Sequence, residues 1–74
     1  MRVICSAGYP GCDHPDAFFW QGKMLSVQHI IKEWREPETK HFLVTAENKN
    51  NFELVFSESS GSWTILEVLS VSNP

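Results

Sequence analysis

Basic residues are scarce in this chain. Six Lys and Arg stand against nine Asp and Glu, a formal net charge of −3 and a sequence pI of about 5.5. Phosphate backbones are gripped by clustered cations, so this balance argues against a general binder of duplex nucleic acid. Long apolar runs are missing as well. Nothing approaches the roughly 20 residues of a spanning helix, so no membrane segment is expected. The apolar stretch within Met1–Pro10 is too short for a signal peptide, which makes the cytoplasm the expected compartment. Cysteine is limited to Cys5 and Cys12, and a reducing cytoplasm would keep both as free thiols. Repeats and low-complexity segments are absent. Seventy-four residues make one domain, 1–74, with little stability to spare.

What the chain does have is alternation. His41-Phe42-Leu43-Val44-Thr45-Ala46, Phe52-Glu53-Leu54-Val55-Phe56 and Trp63-Thr64-Ile65-Leu66-Glu67-Val68-Leu69 are apolar-rich segments. They are separated by Asn48-Lys49-Asn50-Asn51 and Ser59-Ser60-Gly61-Ser62. Apolar alternation cut by short polar turns predicts three consecutive strands. In the first half, Ala17-Phe18-Phe19-Trp20, Gln21-Gly22-Lys23 and Met24-Leu25-Ser26-Val27 predict a hairpin, with Gly22 supplying the positive φ of its turn.

The segment from Val27 to Trp34 fits two periods. Val27, Ile30, Ile31 and Trp34 fall at helical spacing, whereas Leu25, Val27, His29 and Ile31 alternate as in a strand. The lack of an N-cap after the Gly22 turn favours a long, bent or bulged strand, with a short helix over 27–35 as the alternative. Arg35-Glu36-Pro37-Glu38-Thr39-Lys40 is expected to be a six-residue connection. Residues 1–17, broken by Gly8, Pro10, Gly11 and Pro15, form an expected N-terminal loop region in which Val3-Ile4-Cys5 could make a short edge strand. The fold class that results is all-β: a curled five-stranded antiparallel meander over 18–71, a half-open barrel. Its expected core holds Trp20, Val27, Ile31, Phe42, Val44, Ala46, Phe52, Leu54 and Phe56, with Ile65 or Leu66 from the last strand.

Phe19-Trp20-Gln21-Gly22-Lys23, Trp34, Phe52-Glu53-Leu54 and Gly61-Ser62-Trp63-Thr64-Ile65 are similar to a family of small bacterial proteins of unassigned function. Its pattern is a W-x-G-[KR] hairpin and a G-x-W-x-[IL] last strand. The resemblance covers residues 18–69, and it implies a bacterial origin but no activity.

Chemistry-bearing clusters are few. Cys5, Cys12 and His14 are the right donor types for zinc, with His29 or His41 as a fourth ligand. However, C-x6-C-x-H is not the usual spacing of structural zinc, so no metal and no cofactor is expected. Cys12 and His14 make a poor nucleophile and base, two residues apart in a loop. The nine acids are scattered, and Glu53 looks solvated opposite Phe52 and Leu54. The expected protein is therefore not an enzyme. Phe18 and Phe19 are adjacent, so one must point away from the core, and the last strand is apolar on both sides. This surplus points to a binding surface of Phe18, Phe19, Trp63 and Leu66 on a protein-interaction module. Its partner would be another protein or a second copy of this chain. The runner-up is a single-stranded nucleic-acid-binding barrel that stacks bases on its aromatics, and the third reading is a small zinc-binding domain.

Overall fold

One long strand shapes the molecule. The computed structural model describes residues 3–7 and 14–68 and contains six strands: β1 (Val3–Ala7), β2 (His14–Trp20), β3 (Lys23–Glu36), β4 (Thr39–Ala46), β5 (Asn51–Ser57) and β6 (Ser62–Val68). They form one antiparallel meander in sequence order. Strand β3 is shared. Its start pairs with β2 from Lys23 to Ser26, and its remainder pairs with β4 from Val27 to Glu36. The segment 27–34 is thus strand and not helix.

Two register shifts interrupt the β3–β4 ladder, between Val27 and His29 and between Ile30 and Lys32. Each inserts one extra residue, Gln28 and then Ile31. Such bulges bend a strand and sharpen its twist. They also change which side chains face inward: Val27 and Ile30 pack against the core, whereas Ile31 is 52% exposed. The simple alternation that put Ile31 inside fails at the first bulge, which makes Ile30 the inward residue.

The bend folds the β1–β2–β3 end of the sheet over β4–β6. Phe18 of β2 meets Phe52 of β5 edge-to-face at 4.9 Å, and Trp20 meets the same ring at 5.1 Å. These strands are not neighbours in the sheet, so the contacts record curling into a half-barrel. Each such aromatic pair contributes about 0.5–1.5 kcal/mol beyond area burial. The core comprises Phe18, Leu25, Phe42, Val44, Ala46, Phe52, Leu54 and Ile65. Phe42, Leu54 and Ile65 lie side by side across β4, β5 and β6. Ile65, not Leu66, faces in. Phe56 and Trp20 are only half-buried.

The strand count is six because the N-terminal region is partly sheet. β1 pairs with a β2 that begins at His14, so residues 3–7 and 14–17 lie in strands and not in a single loop. The β1–β2 register is irregular on both sides of Cys5, which faces Pro15. Proline offers no N–H to a ladder, and an edge pair is where it is tolerated. Residues 8–13 of the expected N-terminal loop lie outside the described residues.

The turns obey local backbone chemistry. Gln21 and Gly22 both have positive φ, 51° and 80°, as a two-residue type I′ hairpin requires. The charged 35–40 segment shrinks to a two-residue turn, Pro37-Glu38, because Glu36 already pairs with Thr39. Proline followed by a residue at φ 69° is the type II signature. Across the β5–β6 connection, Gly61 at φ 70° donates its N–H to the Ser57 carbonyl at 2.7 Å.

Where β3 departs from β4, one residue joins the two parts. The Ser26 N–H donates to Glu47 Oε1 at 2.9 Å, and the Glu47 N–H donates to the Ser26 carbonyl at 2.9 Å. The hydrogen bonds from Ser26, assisted by the charge of Lys23, hold the Glu47 carboxyl below its ordinary range.

This architecture makes two testable demands. Leu54→Ala removes a fully buried side chain from the middle of the core and should cost about 2–5 kcal/mol, enough to unfold most of a domain of ordinary stability. The same truncation at exposed Leu66 should stay within about 0.5 kcal/mol. Equal losses in chemical denaturation would mean that the two strand faces are assigned the wrong way round. For Glu47 the sign is that of a depressed carboxyl. Its stabilising contribution is present above the ordinary glutamate range and fades as pH falls through the lowered value. Glu47→Gln should therefore flatten the acid limb of the melting-temperature profile, below the ordinary glutamate range. A limb identical to wild type would detach the Ser26–Glu47 contact from stability.

Candidate functional site

The expected binding surface is divided by the fold. Phe18 is fully buried, 0% exposed, because it is the member of the Phe18-Phe19 pair that closes the half-barrel on Phe52. It is a core residue and leaves the candidate surface. Phe19 points the other way and is 36% exposed. Trp63 is half-buried, its ring between Phe56 at 5.0 Å and Phe42 at 6.2 Å, so it packs as the rim of the core. Leu66 is 51% exposed and Val68 36%. Phe19 on β2 and Leu66 on β6 belong to strands with no pairing between them, so the four do not form one patch.

β6 is the edge that matters. Among the described residues it pairs with β5 alone. It contains no proline, lysine or arginine, and Glu67 is its one charge. Proline, lysine and bulges are the usual guards that keep a sheet edge from pairing. The outer face beside this edge mixes apolar and polar rows. Leu43, Glu53 and Leu66 are aligned across three strands, as are Thr45, Asn51 and Val68. Thr45 Oγ1 donates to Asn51 Oδ1 at 2.9 Å.

The same outer face carries a polar network. The Trp34 and His41 rings stack at 4.9 Å with their planes 8° apart. His41 Nδ1 lies 3.0 Å from Glu53 Oε2, and its Nε2 lies 3.0 Å from Thr39 Oγ1 and 3.5 Å from Glu36 Oε1. Lys32 Nζ sits 5.3 Å above the Trp34 ring. Hydroxyl, imidazole and carboxylate stand here in the order of a nucleophile, its base and the group that orients the base. Yet Trp34 covers one face of the imidazole, and the side chain of His41 is only 13% exposed. Thr39, His41 and Glu53 line neither the cleft beside His14 and Ile31 nor the one beside Trp20 and Asn48. What the network does visibly is bind β3, β4 and β5 together on the outer side, opposite the core.

Sequence reasoning treated Glu53 as a solvated acid. Its side chain is instead 27% exposed and paired with His41. The signal was available: Phe42 and Leu54 both face in, so their neighbours His41 and Glu53 must share the outer face.

Among the described residues the metal candidates are not brought together. Cys5 is disulfide-bonded, which overturns the free thiol expected there and removes a thiolate donor. Cys12 lies outside the described residues. His14 is exposed at the start of β2, and it lines a cleft with Ile30, Ile31, Lys32 and Glu33. His29 is exposed on β3, and His41 is held in the Trp34 network. Among the described residues no group of three or more His, Cys, Asp or Glu could hold a metal ion. No helix among them is long and apolar enough to cross a membrane.

Comparison of the chain with family models, with curated proteins and with solved structures finds no match. The likeness to the small bacterial family therefore stands on its short motifs alone.

Proposed function

We propose that this chain is a non-enzymatic protein-interaction module that takes an extended segment of a partner protein along β6 as a seventh strand. The observation that carries the reading is the unguarded β6 edge, with Leu66 and Val68 exposed beside it. In strand addition the main chain supplies affinity, and alternate side chains supply specificity. A matching segment would place apolar residues against Leu66 and Val68 on the outer face. Glu53 lies beside Leu66 on that face, so a Lys or Arg on the same side of the segment fits its charge. The setting that suits the disulfide at Cys5 is an oxidising compartment, where such bonds persist, in place of the cytoplasm expected from the sequence.

A photo-crosslinking residue placed at Thr64, exposed on the outer face of β6, tests this in cells of the source organism. One discrete protein adduct is expected there and none from the same label at Gln28. Leu66→Lys should abolish the adduct without lowering the melting temperature. Matching adduct patterns at the two positions would sink the proposal. So would tight binding of a single-stranded oligonucleotide that collapses with added salt, which would transfer the outer face to the nucleic-acid reading.

A further inference from the structure

We infer that the cleft at the open end of the half-barrel, between the β2–β3 turn and the β4–β5 loop, is a binding site for a neutral saccharide. The cleft has a volume of about 380 Å³, within the roughly 300–1,000 Å³ of small-ligand sites. Barrel mouths are a favoured location for such sites. This site is separate from the outer face to which the partner segment is assigned.

Three elements build its walls. The β2–β3 hairpin contributes Trp20, Gln21, Lys23 and Leu25, the β4–β5 loop contributes Glu47, Asn48 and Asn50, and β6 contributes Glu67. The loop is held in place before any ligand arrives. Glu47 is tied to Ser26 through both its carboxylate and its N–H. The Lys49 N–H donates to the Ala46 carbonyl at 2.9 Å, and the Asn50 N–H donates to Asn48 Oδ1 at 3.1 Å. Walls fixed in this way spare a ligand the ordering cost of binding.

The chemistry of the lining selects the ligand class. A sugar ring has an apolar C–H face and hydroxyls that each donate and accept. Trp20 offers a flat apolar surface with a polar edge. Gln21, Asn48 and Asn50 carry primary amides, each with two donors and an acceptor. Because Asn48 Oδ1 is engaged by the Asn50 N–H, the Asn48 amide is left chiefly as a donor. Lys23 adds a donor and Glu67 an acceptor. An organic cation is the competitor, since two carboxylates line the cleft. The charge of Lys23 acts on Glu47, so Glu67 is left as one charged acceptor. The amide donors of Gln21, Asn48 and Asn50 find acceptors on sugar hydroxyls and none on an organic cation, which favours the sugar.

Titration of the isotope-labelled protein with glucose, galactose, mannose, N-acetylglucosamine and their disaccharides tests the assignment, with tetramethylammonium as the second arm. A supporting result is that at least one sugar shifts the Trp20 indole N–H and the side-chain amides of Gln21, Asn48 and Asn50. Asn50→Ala, a change at an exposed position, should then weaken that sugar about tenfold, the value of a lost hydrogen bond. Its melting temperature should match wild type, which separates loss of the site from loss of the fold. Three results would overturn the inference: no shift with any sugar, shifts that Asn50→Ala leaves unchanged, or shifts produced by tetramethylammonium instead.

Discussion

The inner side of this sheet depends on the double bulge in β3. A regular meander of six strands would bury one face against nothing, because the described residues contain no helix to cover it. The chain covers that face with its own first hairpin. Gln28 and Ile31 are the extra residues that let β3 leave β4 and carry β2 back over β5. Phe18 can then reach Phe52, and all the core residues share one cluster. The Ser26–Glu47 pair sits at the point of departure and satisfies polar groups that the end of the β3–β4 ladder would otherwise leave exposed.

The bend also divides the molecule into places with different chemistry. Its inner side is aromatic and dry. At one end of the half-barrel, turn and loop residues converge on a polar cleft. The outer face of β3–β6 is half-polar, strapped by Trp34, His41 and Glu53, and it runs out at β6 into exposed leucine and valine. Neither proposed role needs a catalytic group. The partner segment would use main-chain pairing and apolar contact, and the saccharide would use amide hydrogen bonds and an indole face.

Much of this was legible in the residues. Alternation identified β4, β5 and β6, and it put Phe42, Val44, Ala46, Phe52 and Leu54 inside, because one-sided burial leaves a period of two. The Gln21-Gly22 turn was legible because positive φ has a chemical signature. The length of β3 pointed to a bend or bulge, but not to its position: an inserted residue reverses the parity of the strand beyond it, so Ile31 looked buried when it is exposed. The pair Phe18-Phe19 showed that one ring is exposed, but only the position of β5 over β2 decides which. The edge strand at Val3-Ile4-Cys5 was legible, but the start of β2 at His14 was hidden by the density of glycine and proline around it. The Glu47 clamp and the outer-face network escaped for another reason. Side-chain pairing across non-adjacent segments leaves no local pattern, and acids scattered along a chain look solvated until a fold brings them to a partner.

The half-barrel exists only if β3 bends far enough to bring β2 onto β5, and a nuclear Overhauser spectrum of the aromatic protons reads that bend without intermediaries. Cross-peaks are expected between the rings of Phe18 and Phe52 and between those of Trp20 and Phe52, alongside the cross-strand contacts of β4 with β5. If the β4–β5 and β2–β3 contacts are present while both ring-to-ring contacts are missing, the sheet is open and the half-barrel does not exist.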